Sequence, residues 1–253
     1  LDDAATMIFS SGSTSEPKAI VLTHKNIIAN LESVRLAFDL RPSDRIVGVA
    51  PLFHSFGYTG TLWLPLLAGL GTVHHYDPYQ GEKIAELTRR YKATTLLATP
   101  KMLQMYTRGK VSAEDLASLR YVIAGAEKLE QDVREGFEKK FGREIHEGYG
   151  TTELSPVAAV NVVDFYKDGK IYQQGNRPGS VGRPVPGVAV RIVDPATLAL
   201  LAPGQEGLIL VKGANVMKGY HGRPDLTAEV IKDGWYATGD IGKRDEEGFL
   251  YIT

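Results

Sequence analysis

The chain has 253 residues, 43% of them hydrophobic and 23% charged, with a formal net charge of −1, the profile of a globular protein large enough for a sizeable core. The near-neutral charge argues against a general polyanion-binding surface, so nucleic acid is not an expected partner, though a local basic patch stays open. The absence of cysteine excludes disulfides and cysteine-based zinc sites and is compatible with a reducing compartment.

In chain order, "ATMIFS" reads as a strand that runs into a hydroxyl-rich loop, "SSGSTSEPK" (10–18). "KAIVL" reads as a second strand, and Thr23 as the cap of a helix with Ile27, Leu31, Val34 and Phe38 on one stripe. "RIVGVA" is strand-like. The apolar window "TGTLWLPLLAGLGTV" (59–73) is too short and too glycine-rich, with Pro65 at its centre, to span a bilayer. It reads as a buried helix over 55–69 that stops at Gly69. "TVHHY" is a strand and "EKIAELTRRY" an amphipathic helix, with Arg89, Arg90 and Lys92 on a solvated face. "TTLLA" and "LRYVIAG" bracket a helix starting near Pro100, in which Met102, Leu103 and Met105 read as packing residues. "LEQDVREGFEKKFG" is a helix with Leu129, Val133 and Phe137 inward and Gly142 as its stop, followed by "EIHEGYG". Strand–helix alternation of this kind predicts an α/β layered core.

After about residue 177 the texture changes to short β-type runs separated by Gly, Pro and Asp turns, ending in a hairpin at "DEEG". The expected division is therefore an α/β part over 1–177 and a β-rich subdomain over 178–253.

Three stretches could carry chemistry. In "SSGSTSEPK", hydroxyls and exposed backbone N–H groups could serve phosphate oxygens, Gly12 permits close approach, and Lys18 adds a mobile positive charge. Gly12 and Lys18 have Walker A spacing, yet Pro17 replaces the second glycine and Ala19 the Ser/Thr magnesium ligand, which argues against a P-loop NTPase. An ordinary surface loop remains the alternative. In "EGYGTTELSP" (147–156), Tyr149 offers a face for a nucleobase, Thr151 and Thr152 offer hydroxyls, and Glu153 a hard oxygen for magnesium. A strand-to-loop corner with a helix cap would look the same. In "GWYATGDIG" (234–242), Asp240 could accept two hydrogen bonds from a vicinal diol or could simply stabilise a turn.

Taken together and in this order, these stretches resemble the core motifs of the adenylate-forming (acyl-activating, AMP-binding) superfamily. "PLFHSFG" (51–57), "AGAEKL" (124–129) and "GQEGLILVKGANVMKGY" (204–220) match as well, so the resemblance covers essentially the whole chain. "PLFHSFG", "YVIAGAEKL" and "EGYGTTELSPVAAVNV" are most similar to acyl-acyl-carrier-protein synthetases, including the synthetase half of 2-acylglycerophosphoethanolamine acyltransferase. The resemblance implies the layered sheet-and-helix core of the family's large domain, with ATP and Mg2+ as cofactors. It implies activation of a fatty acid carboxylate to acyl-AMP with release of pyrophosphate, then transfer to the thiol of CoA or acyl carrier protein. An acid–thiol ligase of this type would be cytoplasmic; inner-membrane association of a longer parent stays open.

By that resemblance Ser10, Ser11, Gly12, Ser13, Thr14 and Lys18 form the phosphate loop, although Ser15 and Ala19 stand where the family often has glycine. Gly125, Ala126 and Glu127 border the adenine, and Tyr149 stacks on it beside Gly150 and Thr151. Thr152 contacts the α-phosphate, Glu153 ligates magnesium, and Asp240 holds the ribose. His54 lies near the carboxylate and acyl tunnel, with a packed, hydrogen-bonded histidine as the alternative; Lys18, His54, Thr152 and Glu153 are the catalytic candidates. His74, His75, His146 and His221 have no supporting pattern and read as structural or exposed. The family continues past "FLYIT" into a C-terminal domain carrying a lysine, so the expectation is an excised core of a larger enzyme, weakly active or inactive alone. A non-catalytic nucleotide-binding or partner-docking module is the alternative. A serine hydrolase is disfavoured because no G-x-S-x-G elbow occurs, "FHSFG" coming nearest.

Overall fold

A computed structural model describes residues 1–10 and 17–253, apart from the side chain of Ser10. They form two compact units, one of Leu1–Phe38 with Tyr149–Thr253 and one of Asp39–Gly148. The architecture is α/β, as expected from the alternating pattern, with the later part of the chain β-rich.

The first unit opens with β1 (Ala4–Ser10) and β2 (Lys18–Thr23), which pair antiparallel with Ser10 opposite Lys18. Thr23 then caps α1 (His24–Ala37) through a capping box, its hydroxyl accepting from the Asn26 N–H while the Asn26 side chain accepts from the Thr23 N–H. Ile27 and Leu31 are buried on the expected stripe. The stripe also carries polar residues that periodicity did not single out. Asn26 Nδ2 donates to the carbonyls of Ala214 and Val216, Asn30 exchanges two bonds with the Val157 backbone, and Ser33 Oγ donates to Pro186 O.

The second unit contains β3 (Arg45–Gly48), α2 (Ser55–Gly57), a π-helical turn (Tyr58–Trp63), α3 (Leu64–Ala68) and β4 (Gly71–His74). These are followed by α4 (Gly81–Tyr91), β5 (Thr95–Ala98), α5 (Pro100–Arg108), β6 (Tyr121–Ala124), α6 (Gln131–Phe141) and β7 (Ile145–Gly150). The last two residues of β7 belong to the first unit. The strands run parallel in the order β4-β3-β5-β6-β7. Every residue of β5 is buried, which is why "TLLA" carries no alternation. Ile84, Leu103 and Phe137, from α4, α5 and α6, share one core with Val47, Leu96 and Val122. Gly142 ends α6 at φ 62, a left-handed position that glycine reaches without strain. The helical run 55–68 is not buried along its length as expected: Leu66 and Leu67 are 65% and 55% exposed, and Met105 on α5 also faces outward.

Returning to the first unit, β8 (Val157–Val160) pairs with β11 (Arg183–Pro184), and β9 (Phe165–Lys167) with β10 (Lys170–Gln173). A further antiparallel sheet is built from β12 (Val188–Val193), β13 (Gly207–Gly213), β15 (Ile231–Lys232), β16 (Trp235–Arg244) and β17 (Leu250–Ile252). β14 (Gly219–Tyr220) adds to β2, and α7 (Pro224–Val230) follows it. The compact units do not follow the 177/178 boundary expected from texture. They divide at 38/39 and 148/149 because the buried amides of α1 bond to backbone from the later half of the chain.

Candidate active site

Strand pairing assembles the site in the first unit. β14 lies antiparallel to β2, with Tyr220 opposite Ile20, and the His221 N–H donates to Ala19 O at 2.8 Å. This register sets the Tyr220 ring beside the start of β2, where Lys18 Nζ stands 5.1 Å from the ring centroid. The Tyr220 hydroxyl donates to Glu153 Oε1 at 3.1 Å. Glu153 is buried in a 3-10 turn, Thr152–Leu154, anchored by Met217 N–H to Glu153 O at 2.7 Å and by Asn215 Nδ2 to Leu154 O at 2.9 Å. Gly150 is required here, because a Cβ at that position would collide with the Pro156 carbonyl.

The other half of the cluster comes from β7 and β16. Tyr149 donates its hydroxyl to Asp240 Oδ2 at 2.5 Å. Asp240 follows Gly239, which has φ 84, and its N–H donates to Thr238 Oγ1 at 3.1 Å. Burial, and then the carboxylates of Asp240 or Glu153 beside them, push the hydroxyls of Tyr149, Tyr220 and Tyr236 well above the ordinary tyrosine range. All three stay protonated at neutral pH, and Tyr149 and Tyr220 act as donors to these carboxylates. Each of the two carboxylates has one oxygen engaged by a tyrosine, leaving the second oxygen of Asp240 suited to a ribose diol.

Lys18, Tyr149, Glu153 and Asp240, 222 positions apart at the extremes of this numbering, thus fall in one unit, with Gly150, Thr151 and Thr152 on the connecting turn. The expected phosphate-loop residues Ser11, Gly12, Ser13 and Thr14 lie outside the described residues; Ser10 is described only as the backbone end of β1. Sequence reasoning assigned no role to Tyr220, Tyr236 or Thr238. Tyr220 and Tyr236 stand inside quoted motifs ("VMKGY", "GWYATGD"), but nothing in the spacing indicates that the Tyr220 hydroxyl turns toward Glu153.

The remaining candidates lie in the second unit. Gly125 is buried at the C-terminal end of β6, while Ala126, at φ 70, and Glu127 are exposed. A Cβ on Gly125 would lie 3.6 Å from the Phe56 ring, so the turn carrying His54 packs against this segment. His54 caps α2, its Nδ1 accepting from the Phe56 N–H at 3.2 Å. His54 is exposed as a residue, yet partial burial of its ring removes hydration and holds its pKa below the usual histidine value. His146 is buried with its ring 6.3 Å from Tyr121, a structural position.

Among the described residues no group of three or more His, Asp or Glu side chains could hold a metal ion alone. Glu153 still fits magnesium, which ordinarily takes one or two carboxylates and completes its octahedron with water and substrate phosphates.

This α/β fold and its motifs are those of the AMP-binding enzymes. Residues 1–221 match the AMP-binding enzyme family model, and the chain belongs to that family. It is 35% identical over 255 residues to a long-chain-fatty-acid–CoA ligase of Bacillus subtilis (strain 168), covering 99% of this chain and 43% of that ligase. It is 33% identical over 253 residues to a feruloyl-CoA synthase of Amycolatopsis sp, covering 100% of this chain and 49% of the synthase. Its fold matches ATP-bound MatB from Rhodopseudomonas palustris with a TM-score of 0.86 at 31% identity, covering 99% of this chain and 48% of MatB. The chain thus spans less than half the length of these relatives.

Proposed function

We propose that this chain supplies the nucleotide-binding core of an ATP-dependent acid–thiol ligase that converts a fatty acid to its acyl-AMP and releases pyrophosphate. The acyl group then passes to a thiol of CoA or of acyl carrier protein. The observation that carries this reading is that Lys18 and Glu153 both contact Tyr220 while Tyr149 is bonded to Asp240, all within one unit. The likeness to CoA ligases of fatty and aromatic acids supports the class of reaction and favours CoA as acceptor.

The chemistry requires little covalent help from the protein, because the substrate carboxylate is itself the nucleophile at the α-phosphorus. The protein's work is orientation and charge neutralisation. Lys18 supplies positive charge to the phosphates, and Thr152 a hydroxyl to the α-phosphate. Asp240 accepts from the ribose hydroxyls, while Tyr149 presents its ring to the adenine and orients Asp240 through its hydroxyl. Gly125, Ala126, Glu127 and His54, all in the second unit, have only the roles that the family resemblance implies. Glu153 would hold Mg2+, which when bound neutralises phosphate charge.

The test is pyrophosphate–ATP exchange by the full-length protein with a panel of carboxylic acids. Exchange that depends on added fatty acid is expected, and no exchange with any acid would reject the ligase assignment. Saturable ATP binding without exchange would instead indicate a nucleotide-binding module. Offering CoA and carrier protein separately to preformed acyl-AMP identifies the acceptor.

A further inference from the structure

We infer that Tyr220 is a positioning residue that holds the cation and the carboxylate of this site apart, keeping both available to a nucleotide and its metal; the inference rests on the nucleotide-site reading above. Two opposite charges engage one side chain from different sides. Lys18 Nζ lies over the ring at 5.1 Å, and the hydroxyl donates to Glu153 Oε1 at 3.1 Å. Among the described residues Lys18 enters no ion pair. Two unlike charges in a partly buried site would attract strongly, and direct pairing would consume the lysine needed for phosphate together with the carboxylate needed for a hard cation. The ring substitutes a cation–π contact for that pairing. The hydroxyl fixes one carboxylate oxygen and leaves Oε2 to a ligand.

Tyr220 is itself rigidly held. It is buried and paired to Ile20 in β2, the strand that begins at Lys18. Its N–H donates to Thr227 Oγ1 at 2.9 Å, and its carbonyl accepts from the Arg223 N–H at 3.1 Å. The side chain therefore has a fixed origin, and its hydroxyl reaches Glu153 without a rearrangement of the backbone.

The experiment is calorimetric titration of ATP into the full 253-residue chain, with and without Mg2+, for the wild type and for Tyr220→Phe and Tyr220→Leu. Tyr220→Phe keeps the ring under Lys18 and removes only the tether on Glu153. The Mg2+ concentration needed for half-maximal enhancement of ATP binding should rise about tenfold, as expected for loss of one hydrogen bond to a charged group, while metal-free ATP binding is unchanged. Tyr220→Leu removes the spacer as well, so metal-free ATP binding should also weaken. If the wild type binds Mg·ATP and Tyr220→Phe shows the same Mg2+ dependence, the inference fails while the nucleotide site stands. If the wild type binds no ATP, the nucleotide-site reading fails first. A lower melting temperature of Tyr220→Phe with unaltered Mg2+ dependence marks a purely structural tyrosine and also overturns the inference.

Discussion

Asp240 illustrates how one residue can be legible in identity but not in its surroundings. The motif "ATGD" suggests a carboxylate at a turn, and β16 supplies the turn through Gly239 and Thr238. That one carboxylate oxygen is already held by Tyr149 is a tertiary fact, since the partners are 91 positions apart. Asp240→Asn retains an acceptor for Tyr149 but loses the charge that strengthens bonds to a ribose. With each such bond contributing about 1.5–3 kcal/mol at most, ATP affinity measured by calorimetry should fall at least several-fold. An unchanged affinity would place the ribose elsewhere. Glu153 follows the same logic: its residue type suggests a hard-cation ligand, whereas the Tyr220 tether follows only from the pairing of β14 with β2.

At the level of elements, most helices and strands follow from local patterns because their causes are local. Thr23 before an apolar stripe, Pro100 at a helix start, and Gly142 after Phe141 all mark helix ends, and each does so in the fold. Thr23→Ala removes the acceptor for the Asn26 N–H and should cost about 1 kcal/mol in denaturant unfolding. A loss below a few tenths of a kcal/mol would show that Asn26 alone holds the helix start. The terminal hairpin was likewise legible from "DEEG", and its Asp245 accepts from the Phe249 N–H at 2.8 Å. Its clamp was not legible: Arg177 and Arg183 stack on the Phe249 ring at 4.2 and 4.0 Å, and Arg177 pairs with Asp245. The helical run 55–68 shows the opposite failure. Its composition suggested burial, but a single sequence does not reveal which apolar face receives a neighbour, and Leu66 and Leu67 remain exposed.

A buried ion pair ties α6 to β7 in the second unit. Arg134 on α6 donates to Ile145 O at 2.7 Å and pairs with Glu147 at 3.4 Å, while Glu147 also accepts from the Leu129 N–H. Arg134→Ala leaves the Glu147 carboxylate buried without its guanidinium and should destabilise the chain by about 3–5 kcal/mol in urea unfolding. A loss under 1 kcal/mol would show that solvent reaches Glu147. Burial raises the Glu147 pKa despite Leu129 and Arg134, so its ionisation opposes folding as pH rises from about 4.3 toward its higher folded value.

Asp44 acts in the reverse sense. Burial would raise its pKa, but bonds from the Arg41 N–H, Thr94 and Arg120 outweigh that and lower it. Its contribution is fully present above the unfolded value of about 3.9 and is lost as pH falls through its lower folded value. Asp44→Asn should therefore flatten the acid limb of the stability curve below about pH 4. An unchanged limb in pH-dependent denaturation would assign acid lability to other carboxylates.

The sequence by itself determined the class of fold, most of the elements and the residue types of the candidate site. Periodicity, capping and turn chemistry act over a few residues and survive in a one-dimensional text. Tertiary structure alone decided that Asn26, Asn30 and Ser33 join Leu1–Phe38 to the later half of the chain, that Tyr220 stands between Lys18 and Glu153, and that Tyr149 is bonded to Asp240. Such contacts depend on strand pairing and on buried polar groups finding partners far along the chain. Their satisfaction is a property of the packed interior rather than of any local run of residues.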